Sequence, residues 1–198
     1  MHRDYYTRRF LITLLAPPLV AVILIKGLFG ERTVRVWDFT TLEPAQWDWQ
    51  FPDQGARKTL EGVEYRPGPA INPDSSVPAG IRLDAINIPA PGLARVKIRA
   101  RITAEASGQE IPARLALYWA RSVDLEGAKQ GWPLFNKDRM CVFRNLDPDQ
   151  PLEFVADPPK SPGTKWNNVI QSLVIVINPS VPAPQGLRVH VTGIRFVK

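Results

Sequence analysis

Arg95-Val96-Lys97-Ile98-Arg99-Ala100-Arg101-Ile102 decides the fold. Val96, Ile98, Ala100 and Ile102 alternate with Arg95, Lys97, Arg99 and Arg101. Successive side chains of an extended chain point to opposite faces, so a period of two predicts a strand with one buried face and one wet face. Four like charges on one sheet face repel one another unless they are solvated or paired. The row Arg95, Lys97, Arg99 and Arg101 therefore has two readings. One is a solvated face with acidic neighbours such as Glu105 or Asp84 across the strand. The other is a contact surface for anionic lipid or an acidic partner.

The same logic extends outward from this stretch. Arg114–Trp119 repeats the alternation, with Leu115, Leu117 and Trp119 inward. In Ile81–Ile88 the residues Ile81, Leu83 and Ala85 alternate with Arg82 and Asp84. Val34–Phe39, Val63–Tyr65, Met140–Phe143 and Leu152–Val155 are shorter candidates, and the wholly apolar Leu173–Ile177 suits a central strand. Leu187–Phe196 closes the chain. Its inward set shifts from Val189 and Val191 to Ile194 and Phe196, and Gly193 stands at the shift, which predicts a bulge. The 20 prolines cluster between these segments, as in Pro67-Gly68-Pro69, Pro89-Ala90-Pro91 and Pro182-Ala183-Pro184, and act as turn punctuation. About nine strands without alternating helices predict a mainly β protein, an antiparallel sandwich of jelly-roll topology.

Ahead of the sandwich stands a different kind of sequence. Met1–Arg9 is polar, with Arg3, Arg8 and Arg9; Phe10–Ile25 is apolar except for Thr13, and the run continues past Lys26 to Phe29. As a helix, Phe10–Phe29 would be roughly 30 Å long, about the thickness of a bilayer's hydrocarbon core. The expectation is one N-terminal transmembrane α-helix, with a cytoplasmic tail at 1–9, the span at 10–29, a linker at 30–33 and an extracytoplasmic domain at 34–198. A cleaved signal peptide fits less well, because the apolar stretch is too long and no A-x-A pattern follows it. Thr7-Arg8-Arg9-Phe10-Leu11-Ile12 resembles the start of a twin-arginine export signal, but Thr13 stands where a lysine is usual. Arg8 and Arg9 read instead as cytoplasmic flanking charges. Lys and Arg number three on each flank of the run, but Arg8 and Arg9 abut it directly and Lys26 can snorkel, which favours a single-pass protein in the inner membrane with its domain on the periplasmic side.

Pro17-Pro18 lacks the N–H groups that the carbonyls of Thr13 and Leu14 need, so the span is expected to kink. Thr13, Pro17 and Pro18 are the candidate helix-packing residues. The four residues Gly30–Thr33 reach at most about 13–14 Å, which holds the domain close to the membrane or to whatever surrounds the helix.

Two C-terminal stretches carry a family resemblance. They are Trp166-Asn167-Asn168-Val169-Ile170-Gln171-Ser172-Leu173-Val174-Ile175, and, after Pro179, Leu187-Arg188-Val189-His190-Val191-Thr192-Gly193-Ile194-Arg195-Phe196. Together they resemble the ending of galactose-binding-like and carbohydrate-binding-module jelly rolls, and Val36-Trp37-Asp38-Phe39 and Leu115–Trp119 fit the same pattern. The resemblance implies a jelly roll over residues 34–198. Thr192 stands where the family's last strand often carries an acidic residue, and no calcium-type acidic cluster accompanies it.

Residues suited to catalysis are sparse. The only histidines are His2, in the tail, and His190, at an outward strand position. The single cysteine, Cys141, lies in an apolar strand and reads as buried and inert. Asp147 and Asp149 flank a turn, while Asp38 and Asp48 sit near tryptophans. No phosphate-cradling glycine loop is present, and neither metal nor cofactor is expected. A formal net charge of +6 suits anionic lipid, acidic polysaccharide or an acidic protein surface; there is no nucleic-acid recognition motif. Of the six tryptophans, Trp37, Trp119 and Trp166 fit inward positions. Trp47 and Trp49, with Phe51, would share one face of an extended segment and are the exposed candidates for stacking on sugar or resting among lipid headgroups.

The function expected from these features is a non-enzymatic, single-span accessory subunit of a larger membrane complex, of the kind that photosynthetic and respiratory assemblies carry. Its partners would be other membrane-protein subunits and the lipid bilayer. The alternative is a membrane-tethered carbohydrate-binding module acting on cell-envelope polysaccharide. A third reading is an envelope-biogenesis partner whose catalysis lies on another chain.

Overall fold

A computed structural model describes residues 31–51, 56–66, 80–111, 114–126, 137–147, 149–177 and 186–198. The tail 1–9, the apolar run 10–29 with Thr13, Pro17 and Pro18, and Trp132 lie outside the described residues. Among the described residues no helix is long and apolar enough to cross a membrane.

The domain that begins at Thr33 is an antiparallel β-sandwich. The first sheet contains β1 (Thr33–Asp38), β2 (Arg57–Thr59), β3 (Gly62–Tyr65), β6 (Arg95–Ala104), β9 (Glu153–Ala156) and β11 (Leu187–Val197). Its order is β2-β3-β11-β6-β9, with β1 also paired to β11. The second sheet runs β4-β10-β7-β8 and is built from β4 (Gly80–Leu83), β7 (Leu115–Arg121), β8 (Met140–Val142) and β10 (Val169–Ile177), with β5 (Ile88–Pro89) also on β10. The sheets are joined at a corner where Arg144, just after β8, exchanges backbone hydrogen bonds with Val155 of β9 at 2.7 and 2.9 Å.

Alternation along β6 works as its sequence predicts. Val96, Ile98, Ala100 and Ile102 are buried, while the Arg95, Lys97, Arg99 and Arg101 side chains line the opposite face. β11 pairs with β6 along its whole length, and the register shifts between Val191 and Gly193. Thr192 is therefore the extra residue of the bulge expected at this point. The bulge lets Val189, Val191, Ile194 and Phe196 all face inward. β10 is central in its sheet, and Leu173, Val174, Ile175 and Val176 are all buried, which explains why it reads as apolar throughout.

The described residues hold eleven strands, more than the nine expected. Ile81–Ile88 is two strands, because Ala85 and Asn87 take left-handed φ angles of 55° and 46° that an extended chain does not contain. β2 carries no apolar alternation of its own; it forms by hairpin pairing with β3.

The segment that follows β1 corrects the exposed-tryptophan expectation. Gln50 exchanges backbone hydrogen bonds with Arg82 of β4 at 2.7 and 2.8 Å, which draws the segment onto the second sheet and points its aromatic face into the core. Trp49 is 2% exposed and meets Trp37 edge-on at a centroid distance of 5.7 Å. Trp47 packs against Phe39 and Phe51, and Phe51 reaches Tyr65. Trp47, Trp49 and Phe51 do share one face, and it turns toward the core: Trp49 is buried in it, and Trp47 and Phe51 pack half-buried against it.

Candidate functional site

The first sheet's outer face carries a hollow. Two rows of residues cross it. Val36, Arg195, Lys97 and Val155 lie side by side on β1, β11, β6 and β9; Asp38, Gly193, Arg99 and Glu153 form the next row. Gly193 has no side chain to fill its place in that row. The result is a hollow of about 340 Å³ whose lining includes Val36, Asp38, Lys97, Arg99, Glu153 and Arg195. The sequence cannot put a larger residue there without disturbing β1, because an added Cβ would meet the Trp37 carbonyl oxygen at 2.9 Å.

Glu153 is the electrostatic centre of the hollow. Its side chain is only 11% exposed; Lys97 Nζ stands 3.9 Å away, Arg99 Nη2 stands 3.8 Å away, and Arg195 Nη2 donates directly to Oε2. Arg99 also donates to Gln150 Oε1 at 3.0 Å. Asp38, on the far wall, accepts from the Thr40 N–H and hydroxyl at 3.0 and 2.6 Å. Three cations and two carboxylates thus line the hollow; the cations gather on Glu153, while Asp38 is occupied with holding its own turn.

The remaining members of the basic row are also paired. Arg95 donates to Asp157 at 2.8 Å, and Arg101 reaches Glu110 at 3.0 Å and Glu61 at 3.9 Å. The acidic neighbours are not the expected Glu105 and Asp84. Glu105 binds Arg66 and Arg188, while Asp84 binds Arg82. His190 does face outward, and its Nε2 lies 3.1 Å from Glu64. Glu64 is also bound by Arg57 and lies near Arg188, so the imidazole belongs to a charged lattice.

Two other clusters are structural. Asp124 accepts from the Arg121 backbone N–H and guanidinium at 2.8–3.0 Å and lies 3.1 Å from Arg139, tying the short helix Ser122–Glu126 to β7. Burial pushes the Asp124 carboxyl upward. The hydrogen bonds and charge of Arg121, with the charge of Arg139, outweigh it and hold the group below its ordinary value. Cys141 is buried, with Sγ 2.9 Å from the Ser161 hydroxyl oxygen. Burial pushes this thiol up, which keeps it neutral and a poor nucleophile near neutral pH. Among the described residues no group of three or more His, Cys, Asp or Glu side chains is placed to hold a metal.

The structure brings Lys97 and Arg99 together with Arg195, Glu153 and Gly193, which sequence reasoning had not joined into a site. Their signals were present separately: the glycine at the parity shift, and Glu153 at the start of a short strand. No family model matches this sequence, and no curated protein matches it. Among solved structures, the apo form of Crh5 transglycosylase is similar, at 9% sequence identity over 82% of each chain with a TM-score of 0.41.

Proposed function

We propose that this chain is a non-enzymatic, single-span accessory subunit of a larger membrane protein complex, with photosynthetic and respiratory assemblies as the leading class. In this reading, residues 10–29 cross the inner membrane and the sandwich braces the complex on the periplasmic side. The observation that carries it is the direct succession of an apolar run ending at Phe29 and a strand beginning at Thr33. So short a linker supports a fixed brace over a free domain on a tether. The finer fold belongs to the same reading. A jelly roll of the galactose-binding-like kind is supported by the first strand pairing with the last and by the bulged closing strand.

The test is affinity isolation of the full chain from native membranes in mild detergent. Co-purifying membrane subunits in fixed ratio are expected; a lone monomer would overturn the reading. One observation favours the membrane-tethered carbohydrate-binding alternative: the hollow lies on a sheet face and presents both carboxylates and guanidinium groups, a lining able to hydrogen-bond hydroxyls. That reading predicts retention on cell-envelope polysaccharide that weakens in Arg99→Ala. Failure of the wild type to be retained would end it.

A further inference from the structure

β1 inverts the usual pattern of a wet strand face. Its outward positions include Val34 and Val36, which are 46% and 56% exposed. Scattered surface valines need no explanation. Val36 stands beside a set of cations, and that combination does. Val36 lines the Gly193 hollow and is paired across the sheet with Arg195, which is followed in the same row by Lys97; Arg99 stands in the next row. Arg99 and Arg195 are 49% and 40% exposed. Glu153 lies within ion-pair distance of all three cations of the hollow.

We propose that this part of the first sheet's outer face is a landing surface for the anionic phospholipid headgroups of a bilayer. The inference rests on the reading of Phe10–Phe29 as a membrane span, which supplies both the bilayer and its nearness, since only Gly30–Arg32 separate the apolar run from β1. The chemistry is divided between two kinds of contact. The guanidinium forks of Arg99 and Arg195 match phosphate oxygens, while Val34 and Val36 enter the apolar margin of the headgroup layer. An acidic protein would engage the cations but would draw less from the two valines.

The test uses the full chain in a Cys141→Ser background, so that Val36→Cys offers the one thiol for an environment-sensitive fluorophore. The protein is reconstituted into vesicles of phosphatidylcholine alone or of phosphatidylcholine mixed with phosphatidylglycerol, with brominated lipid as quencher. The expected result is a blue-shifted emission and severalfold stronger quenching when phosphatidylglycerol is present. High salt or Arg195→Gln should reverse both. A label at Leu60→Cys should stay water-like throughout, because Leu60 is 99% exposed on the β2–β3 turn. Val34→Cys repeats the measurement if Val36→Cys fails to fold. A label at Val36 or Val34 that behaves like the one at Leu60 in both lipids overturns the inference. So does a blue shift that requires co-purifying protein, which would assign the surface to an acidic partner. If alkaline carbonate strips the chain from the vesicles, the membrane reading falls with it; if the chain stays and the label is wet, only the landing surface falls.

Discussion

Gly193 passes so close to Trp37 that a Cβ on the glycine would lie 2.9 Å from the Trp37 carbonyl oxygen. The bulge in β11 creates this approach, and the missing side chain opens the hollow beneath Arg99 and Arg195. Gly193→Ala should therefore push β1 away from β11 and lower stability by about 1–3 kcal/mol, as overpacking does at other well-packed sites. Urea unfolding of the two proteins checks it, through a lower midpoint with an unchanged slope.

Glu153 is the carboxylate on which Lys97, Arg99 and Arg195 converge. Glu153→Gln removes the carboxylate that Lys97, Arg99 and Arg195 share. Because two of those cations are 40–49% exposed, the loss should be about 1–2 kcal/mol, between that of a surface pair and that of a buried one. The loss should shrink in concentrated salt, which screens the charges. Thermal unfolding at low and high ionic strength gives both numbers.

Asp124 supplies a pH dependence with a definite sign. Its folded-state carboxyl lies below the ordinary value of 3.8, so the stability it contributes is fully present above that value and fades as pH falls below it. Asp124→Asn should be less stable than the wild type at neutral pH, and the gap should narrow as acid protonates the wild-type carboxylate. Urea midpoints of the pair, taken from pH 7 down to pH 3, test the convergence; a gap that stays constant would contradict it.

Trp49 belongs to the core. Trp49→Ala should cost about 3–5 kcal/mol, the usual range for emptying an aromatic site. Trp49→Phe should cost less, since a ring would still meet Trp37 and Phe196. Melting temperatures separate this from a binding role, in which Trp49→Ala would leave stability intact and abolish only ligand retention.

Local patterns were legible in the sequence where a single strand carries its own alternation. β6 declares its two faces in eight residues, and the parity shift around Gly193 announces the bulge before any partner strand is known. Position in the sheet is harder to read. Arg195 meets Glu153 across 42 positions of chain and Arg95 meets Asp157 across 62. Which acid answers which base depends on register, and local charge pattern carries no register. Trp47 and Trp49 mislead for a related reason: their spacing correctly places them on one face, but only the Gln50–Arg82 backbone pairing decides that this face turns inward. The break at Ala85 and Asn87 is only half marked: asparagine takes left-handed backbone more readily than other non-glycine residues, but nothing about Ala85 announces it.

In the reading proposed above, the sandwich is bound to a membrane through the residues that precede it. Alkaline carbonate extraction of native membranes, followed by detection of the full chain in pellet and supernatant, tests it most directly. A chain that spans the membrane stays in the pellet and is freed only by detergent; release into the supernatant at alkaline pH would mean that it does not span.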